Sequence, residues 1–120
     1  MKVKDILKVK GSKVYTINEN STLMAATAKM FSNKIGSLIV VNDKEEIVGI
    51  VAPNDILKAV HEGCVENCSL QRVNQVMTKN LLGASEEDNI DYIQAVMTEN
   101  RIRHIPILDK TELKGLVSIG

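Results

Sequence analysis

The chain has 120 residues, 15 Lys+Arg against 15 Asp+Glu, zero net charge, 44% hydrophobic residues and only 2% aromatic ones. This balance leaves no basic face for nucleic acid, and stacking aromatics are nearly missing. No apolar run approaches the roughly 20 residues of a membrane span, and the start, MKVKDILKVKGS, lacks a signal peptide's apolar core, so the chain is read as cytoplasmic with reduced cysteines.

The first segment, VKDIL (3–7), is a short apolar-patterned lead, and KVYTI (13–17) is a short extended piece. STLMAATAKMFSNKI (21–35) carries Leu23, Ala26 and Met30 at i, i+3 and i+7, one face of a helix, with Ser21 suited to its N-cap. SLIVV (37–41) and IVGIV (47–51) are β-branched and short, which favours strands joined by the polar turn NDKEE. Pro53 fits the first turn of a closing helix, and HEGCVENCSLQ (61–71) reads as a connector. The same succession then returns: VNQVM (73–77), NLLGA (80–84), a helix in DNIDYIQAVMTENRI (88–102) with Asp88 as its cap, then HIPIL (104–108), DKTE and LKGLV (113–117).

The return is in register. At a shift of 67, Leu23, Ala26, Met30 and Asn33 meet Ile90, Ile93, Met97 and Asn100; at a shift of 66, Gly49 meets Gly115. The chain therefore divides into repeats at 1–66 and 67–120, each too small to be comfortably stable alone. The expected fold is α+β, an α/β sandwich of two pseudo-symmetric β-α-β-β-α units packed through their sheets over one aliphatic core. The second unit would lack its closing helix within this sequence.

Some residues carry chemistry. Asp55 falls in the first turn after Pro53, at the positive end of the helix dipole. Its carboxylate can accept two hydrogen bonds from one diol, such as a ribose, or serve only to stabilise its helix. Gly36 either lets a ligand approach the backbone or caps the preceding helix. Arg101, Arg103 and His104 gather at one strand start; Arg103 with its bidentate donors, and His104 beside it, are phosphate candidates, or the group is only a solvated basic edge. Strand alternation sends Arg103 and His104 to opposite faces unless the strand start is irregular. His61, Cys64 and Cys68 offer three local donors where a structural zinc needs four, and ordinary thiols are the plainer reading. Met24, Met30, Met77 and Met97 fall mostly at core spacing. No nucleophile, base and orienting group fall together, and there is no P-loop or dinucleotide fingerprint, which argues against an enzyme.

The paired stretches NKIGSLIVVND with EIVGIVAPNDIL, and NRIRHIPILDK with LKGLVSIG, resemble a tandem pair of CBS domains, a Bateman module, over nearly the whole chain. That resemblance implies a regulatory module binding an adenosine-containing ligand, of the AMP, ADP, ATP or S-adenosylmethionine type, in a cleft between the units. It implies no required cofactor. It also implies a homodimer and a regulated protein whose identity the sequence does not give. A CBS pair that binds no nucleotide and serves in dimerisation or docking is the alternative. Carried over by position, the ligand-binding residues are Thr16, Ile17, Ile35, Gly36, Ser37, Leu38, Ala52, Asn54 and Asp55 in the first repeat. In the second they are Gly83, Ile102, Arg103, His104, Ile105, Pro106 and Ser118. Two departures stand out: Ala52 occupies a position where Ser or Thr is usual, and the second repeat's counterpart of Asp55 would fall just past Gly120. The resemblance therefore implies that Gly120 is not the natural end of the chain.

Overall fold

The computed structural model describes residues 1–10, 14–63, 70–79, 83–109 and 112–118. The elements are α1 (Val3–Lys10), β1 (Thr16–Asn18), α2 (Leu23–Asn33), β2 (Leu38–Val41), β3 (Ile47–Val51), α3 (Pro53–His61), a 3-10 turn at Val73–Gln75, α4 (Ile90–Asn100), β4 (His104–Asp109) and β5 (Glu112–Ser118). The fold is mixed α+β, as the sequence pattern requires.

The two main helices form for the expected reason. Leu23, Ala26 and Met30 of α2 are buried, as are Ile93 and Met97 of α4. Their caps lie one residue later than the sequence suggests. The Thr22 side chain accepts from the Ala25 N–H, and the Asn89 side chain from the Asp91 N–H. Both helices end on a non-glycine residue in the left-handed region, Lys34 at φ 53° and Arg101 at φ 56°. The next residue folds back in each case: the Ile35 N–H donates to Met30 O (3.0 Å) and the Ile102 N–H to Met97 O (2.9 Å). This is a Schellman-type close. Gly36 is therefore not the cap; Lys34 is. Met24 is likewise not a core residue. It stands about a third of the way round the helix from the buried stripe and is 56% exposed, on the same outer face as Phe31 at 86%.

The chain forms two compact units: Tyr15–Asn80, here the central unit, and Met1–Val14 with Leu81–Gly120, here the terminal unit. In the central unit the strand order is β1-β2-β3, with β1 parallel to β2 and β2 antiparallel to β3. The parallel pair needs a crossover, and α2 supplies it. All four residues of β2 are buried. The terminal unit repeats this plan. β4 and β5 are antiparallel, and Ala84 adds a parallel bridge to Ile107 where the first repeat has β1. Of NLLGA (80–84), residues 80–82 lie outside the described residues. Even the irregularities match, at Val40/Val41 in one sheet and Ile107/Leu108 in the other. Both cores are aliphatic, centred on Leu23, Met30, Leu38 and Val40 in one unit and Ile93, Met97, Ile105 and Ile107 in the other.

These units differ from the sequence repeats 1–66 and 67–120 because each lead packs with the opposite repeat. Val3 is fully buried in the terminal core, and Val73 in the central core. The backbone bonds are equivalent: Val3 N–H to Asp88 O (2.9 Å) and Val73 N–H to Ser21 O (2.8 Å), then Lys4 N–H to Glu86 O (2.9 Å) and Asn74 N–H to Glu19 O (3.0 Å). The two leads take different forms, one an α-helix and one a single 3-10 turn.

Candidate ligand-binding site

The register of the central sheet brings most of the first-repeat candidates to one end. Leu38, at the start of β2, pairs with Val51, at the end of β3, while Thr16 of β1 pairs with Ile39. Thr16, Ser37, Leu38 and the entry to α3 at Ala52 therefore lie at one end of the sheet, across its three strands. Ile17 and Leu38 are packed into the core; Ser37 is also buried, and Ile35 packs against the core from outside. Gly36 is exposed, with nothing within 4 Å of where a Cβ would stand, so the space beside it is open.

Asp55 holds the entrance of α3. Pro53 occupies the first turn, as its missing N–H and fixed φ favour. Ala52 is the N-cap residue, and its methyl side chain has no acceptor to offer. Asp55 reaches back instead, accepting the Ala52 N–H on Oδ2 at 2.8 Å. One carboxylate oxygen is thus committed to the helix start. The other, Oδ1, faces the Thr78 hydroxyl at 3.4 Å. Asn54, beside it in the first turn, is exposed.

Two residues at this end of the sheet were not singled out from sequence. Lys29 of α2 donates its ammonium to the Thr16 carbonyl oxygen. Its signal was present, since it is the sole charged residue in LMAATAKMFSN. Thr78 closes the second lead and exchanges both backbone bonds with Ile50, 2.8 Å and 3.0 Å. Nothing local in VNQVMT announces a pairing with a strand of the other repeat.

The second-repeat candidates gather at the matching end of the terminal sheet. His104 opens β4 opposite Ser118 near the end of β5, with His104 Nδ1 2.9 Å from Ser118 Oγ. Ser118 is thus a strand residue in this structure. Arg103 is exposed and sits in a bend just before β4, outside the regular strand that begins at His104. Ile105 and Pro106 are buried, and Ile102 packs against the same core. Gly83 lies against the sheet, where a Cβ would meet Leu108 Cδ1 at 3.1 Å.

Residues 3–62 and 73–120 match the CBS domain. The chain belongs to the CBS domain family. The CBS-domain containing protein ATU1752 from Agrobacterium tumefaciens superposes on this CBS pair with a TM-score of 0.95 at 31% identity, covering 100% of this chain and 94% of that one. The CBS domain pair of protein MJ0100, solved in complex with 5-methylthioadenosine and S-adenosyl-L-methionine, gives 0.83 at 26% identity, over 98% and 89% of the two chains. An uncharacterized 17.7 kDa protein of Acidianus ambivalens is 32% identical over 109 residues; the CBS pair spans 64% of its length.

Among the described residues of the CBS pair, no three His, Cys, Asp or Glu side chains are arranged to hold a metal ion. His61 is exposed at the end of α3, while Cys64 and Cys68 lie outside the described residues. No helix among the described residues is long and apolar enough to cross a membrane.

Proposed function

We propose that this CBS pair is a regulatory module that senses an adenosine-containing ligand, with Asp55 as its ribose contact. The observation that carries this reading is the fixed carboxylate of Asp55: one oxygen anchored by the Ala52 N–H at 2.8 Å, the other turned to a hydroxyl. Lys29, held against the Thr16 carbonyl, supplies a cation at the same end of the sheet that suits a phosphate or another anionic group. The adenosine compounds bound by the similar MJ0100 pair support the ligand class. The terminal unit carries a second candidate site of its own in this proposal, with Arg103 and His104 as its phosphate-facing groups. Ligand binding would shift the packing of the module by no more than its differential affinity for two arrangements, and a partner protein would read that shift. The cytoplasm is the compartment we assign.

A thermal-shift panel of AMP, ADP, ATP and S-adenosylmethionine tests this. Ligand at about 100 times its Kd stabilises the fold by roughly 2.7 kcal/mol. A rise in Tm with one of the four supports the proposal; no rise with any of them at millimolar concentration rejects it.

A second reading is a homodimerising or docking module. It rests on α2, whose outer face exposes Met24 at 56% and Phe31 at 86% and carries no charge apart from the tethered Lys29. The two readings are compatible, since a sensor that pairs with a second copy uses both surfaces.

A further inference from the structure

A vicinal diol brings two O–H donors and needs two acceptors. The two oxygens of Asp55 are not equally open to it: Oδ2 already accepts the Ala52 N–H at 2.8 Å and is turned to the helix start, while Oδ1 is not engaged by the cap. Ala52 adds no hydroxyl. Thr78 does: its Oγ1 lies 3.4 Å from Asp55 Oδ1. That separation exceeds the roughly 2.5–3.0 Å of an ordinary O–H···O bond, so the two oxygens satisfy each other poorly and both keep acceptor capacity. The pair is also well anchored. Thr78 is locked to Ile50 by two backbone bonds and Asp55 is locked by its cap, while Thr78 is exposed and Asp55 half-buried.

We propose that Thr78 is a second diol-binding residue, so that Asp55 Oδ1 takes one ribose hydroxyl and Thr78 Oγ1 the other. The inference rests on the ribose reading of Asp55 given above. It means that a residue from the second repeat's lead supplies the hydroxyl that position 52 lacks, 23 residues from its carboxylate partner in the chain.

The test is calorimetric titration with AMP, 2′-deoxy-AMP and 3′-deoxy-AMP. The proteins are the unaltered chain, Thr78→Val, Thr78→Ser and the double variant Ala52→Ser/Thr78→Val. Loss of one hydrogen bond weakens AMP binding about three- to tenfold in Thr78→Val, while Thr78→Ser stays within about twofold of the unaltered chain. The decisive readout is the deoxy pair. In Thr78→Val, one deoxy analogue binds as tightly as AMP, because the hydroxyl it lacks has lost its partner. A purely structural role for Thr78 would weaken all three ligands alike. Ala52→Ser in the double variant recovers part of the AMP affinity. AMP binding that is unchanged in Thr78→Val, or lowered equally for all three nucleotides, overturns the role of Thr78 and leaves that of Asp55 standing. Failure of the unaltered chain to bind AMP overturns the role of Thr78; failure to bind ADP, ATP and S-adenosylmethionine as well overturns that of Asp55.

Discussion

Leu7 packs over Gly115 so closely that a Cβ on the glycine would stand 2.7 Å from Leu7 Cδ2. The first repeat's lead thus covers the second repeat's last strand. Met77 does the same to Gly49, with Sδ 2.7 Å from the corresponding Cβ position. The glycine shared by IVGIV and LKGLV marks where each lead crosses the opposite repeat.

This contact predicts unequal costs for two matched substitutions. At Gly115 the obstacle is the far end of a flexible leucine, which can shift, and alanine recovers some strand stability. At Gly49 a Cβ also meets the Thr78 carbonyl oxygen at 2.9 Å, and that backbone is fixed by its bridge to Ile50. Gly49→Ala is expected to cost about 1–3 kcal/mol, as overpacking commonly does, and Gly115→Ala about 1 kcal/mol or less. Urea unfolding of both variants checks the order. Equal costs would mean that the carbonyl yields as readily as the side chain.

Acid should loosen α1 before the rest of the fold. Lys2 Nζ lies 3.0 Å and Lys4 Nζ 3.2 Å from the Glu87 carboxylate. The hydrogen bond from Lys2, then that from Lys4, hold the Glu87 carboxyl below the usual glutamate range. A group whose folded pKa is depressed stabilises above its unfolded value, and loses that contribution as pH falls through its folded value. The groups are exposed, so the effect is small and screened by salt. Glu87→Gln is expected to flatten the acid limb of the urea midpoint plotted against pH at low ionic strength. At high salt the variant and the unaltered chain should coincide.

The outer face of α2 predicts self-association. Phe31 is the single phenylalanine of the chain and is 86% exposed, so it contributes little to folding here. Sedimentation should find a dimer, and Phe31→Asp should shift it to monomer. Stability of the folded monomer should change by no more than about 0.5 kcal/mol, as for other exposed positions. A dimer unaffected by Phe31→Asp would place the contact elsewhere.

What the sequence reveals and what it conceals follow from the range of the interactions. The stripes of α2 and α4, the strands and the place of Pro53 and Asp55 in α3 are set by neighbours within a few residues, and the pattern exposes them. The caps fall one position late because Ser21 and Thr22, like Asp88 and Asn89, are adjacent capable residues. The exchange of leads is different. VKDIL and VNQVM show that each segment is half apolar, but periodicity names no partner. Hence Thr78 goes unnoticed as a neighbour of Asp55, and the reason for Gly49 and Gly115 appears only when Met77 and Leu7 are seen above them. Lys29 was legible as an isolated charge, although its target, the Thr16 carbonyl, was not.

The central claim is that the Asp55 carboxylate binds ribose. Calorimetric titration of AMP, ADP, ATP and S-adenosylmethionine into the unaltered chain and into Asp55→Asn tests it most directly. The asparagine keeps an acceptor for the Ala52 N–H and should cost the helix only about 0.3–1 kcal/mol from the lost charge at its N-terminus. The account predicts that at least one of the four ligands binds the unaltered chain and that Asp55→Asn weakens it tenfold or more, about 1.4 kcal/mol. Undiminished binding by Asp55→Asn would contradict it, as would no binding by the unaltered chain.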